Sequence, residues 1–148
     1  MPLTKEAICE KIRRAFQGVK LGDGIGLFEA DGVDEYADEA TRKAYRERDE
    51  KEDWQRIPRE NLRGEGICFT DAEGMRFHLP AFMVAAVQYG RDFSPVFMLE
   101  NDSAQDLFVL LSPEQREAVR EFLLFVKDDP EHSFDRPEIE HALSGPWK

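Results

Sequence analysis

The stretch FTDAEGMRFHLPAF, residues 69–82, gathers two carboxylates, an arginine, a histidine, a glycine and a proline, and Cys68 stands immediately before it. A thiol near an imidazole is a candidate nucleophile pair: Cys68 would attack, His78 would take its proton, and Asp71 or Glu73 would orient the ring. Whether the two side chains meet depends on what positions them. Residues 67–70 are β-branched and aromatic, 71–74 have turn chemistry, and 75–79 alternate apolar with polar, which predicts a β-hairpin over about 67–79. Gly74 would take the left-handed position that closes its turn. An even loop over 71–74 places Cys68 and His78 on opposite faces; a three-residue loop over 72–74 places them opposite each other. Both loops suit Gly74. No neighbouring residue supplies an oxyanion hole, so a half-exposed strand histidine is the preferred reading.

A second chemical possibility lies upstream. Glu29, Asp31, Asp34, Glu35, Asp38 and Glu39 crowd eleven residues, and hard divalent cations favour such oxygen clusters. The spacing lacks the alternating ligands and central glycine of a calcium loop, and His132 and His141 are too far apart for a helical zinc motif. An acidic solvated face is the simpler reading, and no cofactor is called for. With Phe28 and Tyr36 interleaved among these carboxylates, the same segment is a candidate surface for a basic protein partner.

The glycine-rich KLGDGIG at 20–26 resembles a phosphate loop only superficially. Lys20 precedes the glycines instead of following them, and acidic residues come next.

The elements that would carry these residues are mostly helical. The first spans 4–19, with Thr4 as N-cap, a stripe of Ile8, Ile12, Ala15, Phe16 and Val19, and Gly18 as its stop. A second helix is expected from about 29 to 48, with Val33, Tyr36, Ala37, Ala40 and Ala44 facing inward. The charge-dense 46–53 cannot be core, and Trp54 with Ile57 would anchor the following loop inward. Pro80 would open an apolar helix that Gly90 ends. Residues 90–106 look irregular and mobile, and 108–111 could be a third strand or a helix entry. Ser112, Pro113 and Gln115 spell a capping box ahead of a helix to 127. A C-terminal extension, 128–148, would hold a short helix at 137–143. Arg76, on its strand, is expected to pair with a carboxylate of the acidic helix.

Composition bounds the whole. A chain of 148 residues with eleven Phe, two Trp and three Tyr can bury one core. Two cysteines without CxxC spacing suggest a reduced pair. No apolar run reaches the ~18–20 residues of a membrane span, and the first residues do not read as a signal peptide. The 20 basic and 31 acidic residues give a net charge of −11, which disfavours nucleic acid. Residues 1–20 carry five basic and two acidic side chains, but they do not share one helical face.

The segments GLFEADGVDEYAD (26–38), DWQRIP (53–58), FTDAEGMRFHLPAF (69–82) and LLSPEQREAVREFLLFV (110–126) occur in that order. In this the chain resembles domain-of-unknown-function family 6714 over residues 4–127. The resemblance implies a small bacterial, cytoplasmic protein of a family with no established activity, so no catalytic residue carries over. Its most specific block marks Asp71, Gly74, Arg76, His78 and Pro80, with Trp54 from the preceding motif, as a motif cluster. The expectation is one α+β domain, mainly helical, of about five helices with a short hairpin. Its expected role is a protein-interaction module of immunity-like or adaptor type. The alternative is an enzyme using the Cys68/His78 region or a divalent ion on the acidic helix.

Overall fold

A computed structural model describes residues 4–62, 70–100 and 103–148. Among these residues there are eight α-helices and no strand. They are α1 Lys5–Ala15, α2 Leu27–Asp34, α3 Glu39–Glu47, α4 Ala72–Tyr89, α5 Val96–Glu100, α6 Ser103–Leu110, α7 Pro113–Lys127 and α8 Arg136–Ser144, with short 3-10 turns between. The expected α+β class with a hairpin at 67–79 is therefore wrong where the chain is described. Residues 72–79, which hold its second strand, are the first two turns of α4.

The reason is local. Asp71 is an N-cap whose carboxylate accepts from the Gly74 N–H at 2.9 Å, and Glu73 sits favourably in the first turn. Met75, Phe77 and Leu79 alternate as a strand would, but Gly74, His78 and Phe82 are buried too. A helix buried nearly all round loses its 3.6-residue signature, and a two-residue alternation within it is accidental. Pro80 does not open this helix; it sits inside it, buried. There it removes the N–H that would bond the Arg76 carbonyl, a defect of about 3 kcal/mol that packing must offset.

α4 is the central element, packed on α1 and α6, while α1 also packs on α7 and α8 packs on both α5 and α7. The stripe Ile8, Cys9, Ile12 and Ala15 meets Ala118, Val119, Phe122, Leu123 and Val126 in one buried cluster. Both tryptophans belong to it, and each indole N–H is satisfied: Trp54 donates to the Phe16 carbonyl at 3.0 Å, Trp147 to that of Leu99 at 2.7 Å. Thr4 caps α1 and Ser112 forms its capping box with Gln115, as expected. The 90–106 region, expected to be irregular, carries α5 and the start of α6, and 108–110 complete α6 as helix. The terminal helix runs from Arg136 to Ser144 and contributes Ile139 and Ala142 to the core. No helix among the described residues is long and apolar enough to cross a membrane.

Candidate functional site

The single helix expected over 29–48 is two. α2 stops at Asp34, α3 starts after Asp38, and they pack against each other as a hairpin. The stop is a Schellman motif: the Tyr36 N–H donates to the Val33 carbonyl at 3.2 Å and the Ala37 N–H to that of Gly32 at 2.9 Å. This motif needs a left-handed residue, usually glycine, and here it is Tyr36 with φ 56°. The Tyr36 side chain is 96% exposed, not inward, and Ala40 and Ala44 are exposed as well. α3 buries no residue.

Polar bonds join the hairpin. Glu29, only 14% exposed, pairs with Arg42 at 3.2 Å and with Arg46 at 3.3 Å. The Arg46 guanidinium also donates to the carbonyls of Gly22 and Gly24, fixing the glycine loop. Tyr45 donates its hydroxyl to Glu35 at 3.0 Å, which raises the phenol's pKa. Asp38 caps α3 through the Thr41 N–H at 2.8 Å, and these bonds lower its pKa. The acidic run is thus divided. Glu29 is structural, Asp31 is half-buried, and Asp34, Glu35, Tyr36, Asp38 and Glu39 are exposed around the hairpin tip. Among the described residues no three His, Cys, Asp or Glu side chains are grouped to hold a metal ion.

The residues marked by the motif cluster serve close packing. Besides capping α4, Asp71 accepts from the Ile25 N–H at 2.9 Å, which ties the glycine loop to the helix start. Gly74 has ordinary helical backbone, and its missing side chain is what matters: a Cβ there would stand 2.2 Å from the Ile25 carbonyl oxygen. Arg76 has a buried Nε without a hydrogen-bond partner, and it forms none of the ion pairs with the 29–39 carboxylates among the described residues. Cys68 lies outside the described residues. His78 is not on a strand and not half-exposed: it is helical and 2% exposed. Its Nδ1 lies 2.7 Å from the Gly74 carbonyl, so this nitrogen carries the proton, and burial pushes the pKa down to about 4.

Around His78 the structure forms a pocket of about 310 Å³ between the base of the α2–α3 hairpin and the 54–62 loop, lined also by Phe28, Arg48, Asp49, Arg56 and Asn61. Asp49 is its main structural surprise. The charge-dense segment 46–53 was not expected to reach the core, yet Asp49 is buried. Its two oxygens accept from the N–H groups of Phe28 at 2.7 Å and Glu29 at 3.2 Å, supplying from a distance the cap that Gly26 cannot provide. Burial raises its pKa, countered in part by those two bonds. Arg48 lies over the Phe28 ring, 4.1 Å from its centroid. Sequence reasoning missed Arg48, Asp49 and Asn61. The available signal was a helix start at Gly26 with no side-chain cap of its own.

A model of the family of unknown function DUF6714 matches residues 4–145, nearly the whole described chain, and the protein belongs to that family. No curated protein and no solved structure matches it.

Proposed function

We infer that the protein is an interaction module that docks a basic protein on the tip of the α2–α3 hairpin. One observation carries this reading: Tyr36 occupies a left-handed helix-closing position, fully exposed, among Asp34, Glu35, Asp38 and Glu39. A β-carbon in that conformation costs roughly 1–2 kcal/mol per residue, which glycine would avoid. Strain held at an exposed aromatic is the pattern of a recognition residue, not of a fold requirement. Tyrosine gives an amphipathic anchor with little rotamer entropy to lose, and the surrounding carboxylates would steer a cationic surface toward it. Of the residues considered for this surface, Phe28 and Glu29 are engaged within the fold, so the reading rests on Asp34, Tyr36 and Glu39, with Glu35 and Asp38 beside them.

The test places a photo-crosslinking phenylalanine analogue at position 36 in producing cells. The expected result is one dominant adduct with a basic protein, lost when Asp34 and Glu39 are changed to lysine. Asp38 is left intact because it caps α3. Adducts matching those from a control analogue at the exposed Phe134 would overturn the reading.

A further inference from the structure

The pocket at the hairpin base combines polar groups in two conditions, and the contrast identifies a ligand. The carboxylates in its wall are engaged by backbone. Asp49 accepts from Phe28 and Glu29, and Glu50 accepts from the N–H groups of Glu52 at 3.0 Å and Asp53 at 3.1 Å. The remaining groups are free. The Arg48 guanidinium rests on the Phe28 ring with no carboxylate partner among the described residues. The Arg56 side chain forms no hydrogen bond among the described residues; its partners are a loose contact to Asp53, at 3.9 Å, and a longer-range attraction to Glu50. The Asn61 amide has no hydrogen bond among the described residues, although its backbone N–H donates to the Pro58 carbonyl.

His78 is the fourth free group and the most telling. Its Nδ1–H is directed back along its own helix to Gly74, so Nε2, on the far side of the ring, is a bare acceptor. The residue is almost completely buried, lines this pocket, and offers Nε2 no protein donor among the described residues. Facing the pocket, that acceptor is open to a ligand or to ordered water. The volume lies just inside the ~300–1,000 Å³ range of small-molecule sites.

We propose that this pocket binds a small oxyanion that also carries an O–H donor, its charge on Arg48 and Arg56 and its donor on His78 Nε2. Asn61 completes the set as a group able to donate and accept. The requirement for both features follows from chemistry. Guanidinium pairs carboxylate or phosphate oxygens through parallel N–H groups. An anion with no donor would leave Nε2 unpaired inside the complex. This inference does not depend on the hairpin tip and goes beyond the proposed docking role.

Histidine side-chain ¹⁵N spectra of the whole protein test it, with glycolate and inorganic phosphate as donor-bearing probes and acetate and sulfate as controls without a donor near neutral pH. The His78 signals are assigned by elimination with His132→Gln and His141→Gln. Glycolate or phosphate should move the His78 Nε2 signal upfield saturably. The matched control should bind about tenfold more weakly, the ratio expected for one buried hydrogen bond left unmade. Arg48→Gln should weaken the donor-bearing probe about tenfold or more while the fold persists, because Arg48 is exposed. A His78 signal indifferent to all four probes at tens of millimolar would overturn the proposal. So would equal binding of probe and control, which would mean attraction by the arginines alone, or an Arg48→Gln protein that binds as the parent does.

Discussion

His78 shows how one ring can be read as catalytic in the sequence and serve otherwise in the fold. Placed on α4 and enclosed, it stays neutral because burial disfavours the imidazolium more than the Gly74 carbonyl and the charge of Asp71 favour it. The unfolded ring protonates near 6.5, the folded one only near 4, so the unfolded state binds more protons between those values. Stability should be unaffected by this group above pH 7 and should fall as pH drops from about 6.5 towards 4, by up to about 3 kcal/mol. Denaturant titrations at half-unit pH steps, with the His78 ring followed by NMR, measure both quantities. A ring that titrates near 6.5 in the folded protein would refute the burial account. Asp49 yields a second residue-scale expectation. Asp49→Ala leaves two α2 N–H groups without their acceptor and should cost about 1–3 kcal/mol in urea unfolding; no change would mean that water caps α2 equally well. Cap residues with a local partner, Thr4 and Ser112, were legible because donor and acceptor lie three residues apart. Asp49 caps a helix twenty residues upstream, and no local pattern encodes that.

At the scale of elements, α4 was the least legible because it is the most buried. Sequence periodicity reports the contrast between a wet and a dry face, and a central helix has little contrast. Its start, moreover, is spelled with residues that also make turns: Asp71 and Gly74 suit a hairpin loop as well as an N-cap followed by a close contact. The structure separates the two by what Gly74 touches. Alanine at 74 gains helix propensity of about 1 kcal/mol over glycine. Its Cβ would nevertheless collide with the Ile25 backbone, which cannot swing aside as a side-chain tip can. Gly74→Ala should therefore destabilise the protein, by roughly 2 kcal/mol or more, on the scale of other steric conflicts in packed sites. A stabilised Gly74→Ala protein would show that the loop-to-helix contact is slack. The α2–α3 break was similarly hidden, since GVDEYADEA reads as one helix unless Tyr36 is allowed a conformation that tyrosine rarely adopts.

At the scale of the whole molecule, the net charge of −11 is not spread evenly over the acidic run that suggested a partner. Arg42 and Arg46 on α3 neutralise Glu29 from across the hairpin, and the exposed carboxylates concentrate where α2 turns into α3. Association with a basic partner should accordingly slow as salt rises from 50 to 300 mM, and the slope should flatten in Asp34→Lys/Glu39→Lys protein. A salt-independent rate would remove electrostatic steering from the account.

The central claim, that the tip is shaped for recognition at the expense of stability, is tested most directly by Tyr36→Gly measured in two ways. Glycine relieves the left-handed strain while the backbone bonds to Val33 and Gly32 remain. Urea unfolding should show the variant more stable by about 1 kcal/mol, and binding to the crosslinked partner should fall at least tenfold, as for loss of an aromatic anchor. A variant that gains no stability, or one that binds the partner as tightly as the parent, would contradict the account.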